Sequence, residues 1–213
     1  MRMLYLLLLA AIPALAQESE TISVLERREV ALTSVPGLPA HELRLTLAYL
    51  EGTGWTPGAI VDAANESARI LGQCGLELKA VALVRVAAPS RFHDFLTPVS
   101  RELAAALQLD KPTVYFIAGT RQRPAFDAEA IGRGNSRTRP ELEDTVWITR
   151  GTRDLGIAMA HELVHVLMDS GEHSEEPDNL MRDETGRGNS RLSLAQCARL
   201  REAGTANGLL GQR

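Results

Sequence analysis

Residues 157–181 read IAMAHELVHVLMDSGEHSEEPDNLM. From Ile157 to Met168 the only polar side chains are His161, Glu162 and His165. A helix apolar on nearly every side must lie inside a domain, and a carboxylate buried there costs several kcal/mol unless it is bonded or used. His161 and His165 are four residues apart and so face the same way, one helical turn from each other. The H-E-x-x-H spacing lets both imidazoles ligate one ion and sets Glu162 against a metal-bound water. A catalytic zinc usually needs a third protein ligand. The helix is expected to open near residues 152–154 and run to Ser170-Gly171, where glycine takes the left-handed turn. His173, two residues further on, is the leading third ligand, with Asp169, Glu172, Glu176 and Asp178 as competitors. Asp169 continues the spacing of four and could instead hydrogen-bond a ligand histidine from outside.

Working outward, residues 42–50 alternate and read as a strand, and Thr56-Pro57 opens a helix that stops near Cys74-Gly75. A strand over 76–87, a helix over 99–108 and a nearly all-apolar strand over 113–119 follow, the last with the pattern of a strand buried on both faces. Residues 127–131 are expected as a short edge strand, 144–149 as another strand, and Ser193 as the start of a final helix ending before Gly204. This alternation describes an α/β layer with a mostly parallel sheet. Residues 17–40 carry no clean period and are expected as a lead-in packed on a single domain spanning 17–213. GRGNSR occurs twice, at 132–137 and 186–191. Loop vocabulary alone explains two copies, and two similar loops flanking one cleft are the alternative.

The chain carries 23 basic and 27 acidic residues, a formal charge of −4, which argues against a generic nucleic-acid partner. Residues 1–16 read as a cleavable signal peptide: Arg2, an apolar run from Leu4 to Ala11, and Ala14-Leu15-Ala16 before Gln17. That run is too short to span a bilayer, so the mature chain is expected to be secreted or periplasmic, without a membrane partner. In an oxidising compartment the two cysteines, Cys74 and Cys197, could pair; two reduced core thiols are the alternative.

HELVHVLMDSGEH followed by EPDNLM resembles the metzincin clan of zinc metallopeptidases, in which H-E-x-x-H, a glycine turn, a third histidine and a downstream methionine turn form the site. The resemblance is carried by residues 153–203 and is topological before them. It implies a metzincin-like α/β fold, a twisted mixed sheet of about five strands with an antiparallel edge strand, an active-site helix and a C-terminal helix, with Met181 as the Met-turn beneath the metal. Two departures stand out. Met168 occupies the clan's glycine position, and His173 follows His165 by eight residues where six is usual. No tyrosine or histidine follows His173, so the tyrosine some members place near the zinc has no counterpart.

The function implied is a zinc-dependent endopeptidase. Three neutral histidines leave the ion its full charge, Glu162 acts as general base on the bound water, and a protein or peptide substrate is cleaved. Arg182 and Arg187 read as solvated surface residues. A calcium ion in the acidic segment has no calcium-loop motif behind it. The rival readings are an exported zinc-binding structural or interaction domain without proteolytic activity, and a zinc hydrolase of a non-peptide amide.

Overall fold

The computed structural model describes residues 21–33, 40–121, 130–133 and 140–212, so the expected signal peptide and most of the first GRGNSR copy lie outside the described residues. Along the chain come β1 (Ser23–Ala31), β2 (His41–Leu43), β3 (Leu45–Leu50), α1 (Pro57–Leu71), β4 (Leu76–Glu77), β5 (Ala80–Ala87), β6 (Asp94–Phe95) and α2 (Thr97–Leu107). Then follow β7 (Thr113–Phe116), β8 (Gly119–Thr120), β9 (Ala130–Arg133), β10 (Thr145–Ile148), α3 (Leu155–Met168), α4 (Leu194–Ala206) and β11 (Leu210–Gln212).

The main sheet has the order β1-β5-β3-β7-β10-β9. Its four inner strands are mutually parallel, and the outer two run antiparallel to their neighbours. The mixed sheet therefore has six strands, one more than expected. The extra strand is β1, inside the segment read as a lead-in. Nearly every β1 side chain is exposed, so no inward-facing apolar series marks it; the backbone ladder to β5, Ser23 opposite Ala87 through Ala31 opposite Ala80, makes it a strand. The expected edge strand appears at Ala130–Arg133, slightly later than 127–131.

Two expected strands each divide. Residues 42–50 break at Arg44 and 76–87 break after Glu77, because β2 and β4 leave the main sheet to pair with each other and with β11. The all-apolar run at β7 is buried on both faces as expected. On one face, Leu45, Leu47, Leu83, Val114, Phe116, Val146 and Ile148 pack under α1, α3 and α4. On the other, Leu50, Val84, Val86, Tyr115 and Trp147 pack with α2 through Leu103 and Ala104. Tyr115 stacks on Trp147 at 4.2 Å between ring centroids.

α3 is enclosed along nearly its whole length, from Gly156 to Met168. Its approach to α1 depends on Gly156, where a Cβ would fall 2.5 Å from the Glu66 Cβ, and Ser67 Oγ donates to the Gly156 carbonyl at 2.7 Å. α4 opens with a capping box in which Ser193 and Gln196 exchange hydrogen bonds. It is tied to the end of α1 by the Cys74–Cys197 disulfide, with Cα atoms 4.8 Å apart. Among the described residues, no helix is long and apolar enough to cross a membrane.

Candidate metal centre

α3 presents His161 and His165 on one face, and the segment after the helix returns His173 to them. The Nε2 atoms of His161 and His165 lie 2.9 Å apart, and those of His165 and His173 lie 3.2 Å apart. Among the described residues these three form the group of metal-capable side chains whose donor atoms all lie within 4.8 Å of one another.

The other ring nitrogens reveal the tautomers. His161 Nδ1 meets the Leu180 carbonyl at 2.8 Å, and His165 Nδ1 meets the Ser170 carbonyl at 2.6 Å. His173 Nδ1 meets the Asp183 carboxylate at 2.7 Å. Carbonyls and carboxylates accept, so each Nδ1 carries the hydrogen and donates it, which leaves the three Nε2 lone pairs aimed at one another in the neutral rings. Bare lone pairs about 3 Å apart repel unless a cation lies among them. A proton is disfavoured: burial pushes His161 down to about 4, and burial likewise lowers His165. A divalent metal is the charge that suits the donor set. Nitrogen ligands about 2.0–2.1 Å from a tetrahedral zinc stand roughly 3.3 Å from each other, close to the His161–His165 and His165–His173 separations.

The helix ends differently from expectation, and the correction concerns the turn. α3 stops at Met168, and Asp169, not Gly171, adopts the left-handed conformation, with φ 48°. Asp accepts that region at modest cost, and the Asp169 and Ser170 amides bond back to the Val166 and His165 carbonyls. Asp169 thus stands at an exposed helix end, and the Asp183 carboxylate meets His173. Of the competing third ligands, Glu172 pairs with Arg199, which lowers its carboxyl below the usual range, and Glu176 accepts from Asn179. Asp178 takes a positive φ of 61°, and its carbonyl receives the Ser190 and Arg191 amides.

Glu162 is buried beside His161 on the same turn of α3. Met181 is buried in the apolar cluster that contains Leu163 and Val164, one residue after the carbonyl that holds His161. Arg187 pairs with Asp154 on the surface, and Arg182 donates to the Glu175 carbonyl.

Asn179 was not singled out by sequence reasoning, and it is buried and fully bonded. Its Oδ1 accepts from the Met181 amide and from Gln196 Nε2; its Nδ2 donates to Gln196 Oε1 and to Glu176. This pair connects the start of α4 to the turn that carries Leu180 and Met181. The sequence signal was present in the Ser193-x-x-Gln196 capping box, but only the tertiary arrangement shows that Gln196 also reaches Asn179.

No protein-family model matches the sequence, and no curated protein matches it. Among solved structures, the chain is similar to the crystal structure of metalloproteinase-II from Bacteroides fragilis, with a TM-score of 0.54 and 17% identity. The match covers 82% of this chain and 56% of that one, so the chain spans little more than half the neighbour's length. The likeness is one of fold: a mixed α/β layer similar to that of a metalloproteinase, here carrying three histidines able to hold a metal ion.

Proposed function

We propose that this chain is an exported zinc-dependent peptidase of metzincin-like design, with His161, His165 and His173 as the zinc ligands and Glu162 as the general base. The observation that carries this reading is the convergence of three Nε2 lone pairs whose Nδ1 partners are all acceptors. Three neutral ligands, a buried carboxylate adjacent to one of them and the fold of a metalloproteinase support hydrolysis over a purely structural site, which usually fills all four positions with protein ligands.

When bound, zinc supplies a Lewis acid that acidifies water and polarises an amide carbonyl. Glu162 accepts the proton of the attacking water and delivers it to the leaving amine. Burial keeps His161 and His165 neutral, so the ion's charge is not diluted. Met181 serves as the apolar base under the ligands, in the role of the clan's Met-turn. β9 ends the sheet order, and its outer edge offers backbone groups alongside which an extended peptide can add as a strand. The disulfide agrees with an oxidising compartment and so with export after residue 16.

The test is zinc content and peptide cleavage by residues 17–213. About one zinc per chain is expected, together with cleavage of a peptide library that falls roughly 10²–10⁴-fold in Glu162→Gln while zinc is retained. Protein that binds no zinc when supplied with it overturns the proposal. Zinc without cleavage points to the structural domain, and cleavage confined to non-peptide amides to the other hydrolase.

A further inference from the structure

We propose that Asp183 is a positioning residue that makes His173 a competent metal ligand, an inference that rests on reading the three histidines as a zinc site. His161 and His165 are oriented by backbone carbonyls, whereas His173 Nδ1 is met by a side chain, Asp183 Oδ1 at 2.7 Å. The encounter is built by hydrogen bonds between the two loops. The Ser174 amide donates to the Met181 carbonyl at 2.7 Å, and Arg182 Nη1 donates to the Glu175 carbonyl at 3.2 Å, so segment 173–175 lies alongside segment 181–183. His173 and Asp183 therefore face each other across a hydrogen-bonded pair of loops. Met181 is buried and holds that pair in place from one end.

The chemistry of the pair favours a metal role. A carboxylate that accepts Nδ1–H fixes the ring orientation, selects the tautomer with a bare Nε2 and raises the basicity of that nitrogen. Both partners are substantially exposed, at 37% for the His173 side chain and 78% for that of Asp183, and an exposed pair contributes little to folding. Its influence should therefore be read on metal affinity, with melting of the metal-free protein almost unaffected. Asp183 also supplies what the unusual spacing requires. With His173 eight positions after His165, the third ligand stands on a loop five residues beyond the helix end, and among the described residues its Nδ1 is met by the Asp183 carboxylate where carbonyls hold the other two.

The experiment measures zinc Kd by chelator competition in the exported protein. Asp183→Ala should weaken zinc roughly 10–100-fold, Asp183→Asn should fall between it and the parent because its amide oxygen still accepts, and Glu184→Ala should match the parent. In a His173→Ala background, Asp183→Ala should cause no further loss. The inference is overturned if Asp183→Ala stays within about 2-fold of the parent. It is also overturned if the loss persists without His173, which would mean that Asp183 acts on the ion directly, or if metal-free Asp183→Ala melts several degrees lower, which would make the pair a folding element. A parent protein that binds no zinc instead removes the underlying reading, so the two failures are distinguishable.

Discussion

Two of the three histidines stand on a buried helix and the third on an exposed loop, yet all three meet through the same ring nitrogen. On the helix side, His161 and His165 are located by α3, which is locked against α1 through Gly156 and held by carbonyls that no side-chain change removes. On the loop side, His173 depends on a backbone contact to Met181 and on one carboxylate. The contrast separates what a metal site inherits from the core from what must be supplied by individual surface groups. It predicts that damage on the helix side is felt in both folding and binding, and damage on the loop side in binding alone.

The strongest test compares His161→Ala with His173→Ala. The first should lose zinc to below detection and also destabilise the metal-free chain by about 1–3 kcal/mol, since the buried Leu180 carbonyl loses its donor. The second should weaken zinc binding strongly while leaving it measurable, with metal-free stability within about 0.5 kcal/mol of the parent, read from denaturant unfolding. Equal stability losses would break the contrast.

The largest loss of folding stability by itself is expected at the disulfide behind the helix side. Replacing Cys74 and Cys197 by Ala should cost about 2–5 kcal/mol in unfolding free energy, because the bridge closes a long loop between α1 and α4. Asn179→Ala should follow, at about 1–3 kcal/mol, by stranding the Gln196 amide and the Met181 N–H. Since Asn179 joins the two regions, its zinc affinity should fall as well, and a loss of stability with unchanged zinc affinity would show that the turn does not transmit to His161.

The last contrast is read in pH dependence. An unfolded His161 takes up a proton near its ordinary 6.5, while in the folded chain burial delays that uptake to about 4. Below pH 6.5 the unfolded state therefore binds more protons, so metal-free stability is full above that value and declines as pH falls toward 4. His161→Ala should flatten the decline in acid titrations followed by circular dichroism, whereas His173→Ala should leave most of it.

The site was more legible in the sequence than its supports were. H-E-x-x-H in an apolar helix carries its own geometry, because spacing four on a helix is a distance. The sequence ranks His173 first among the candidates for the third position, but the turn that precedes it falls at Asp169 and not at Gly171. Glycine is the usual left-handed residue, but Asp169 takes that conformation once its amide can bond back into the last turn. β1 leaves no mark in the sequence for another reason: an edge strand exposed on both faces has no inward apolar series to read, and exists through its partner's hydrogen bonds.

By itself, then, the sequence determined the alternation of helices and strands, the buried helix and the pair of histidines upon it, because these follow from local periodicity and side-chain chemistry. Only the tertiary structure decided that Cys74 meets Cys197, that Asp183 meets His173, and that Asn179 and Gln196 join α4 to the turn that carries Met181. Those contacts bring together residues far apart or on neighbouring loops. Their partners are selected by how the chain packs, which spacing along the sequence does not encode.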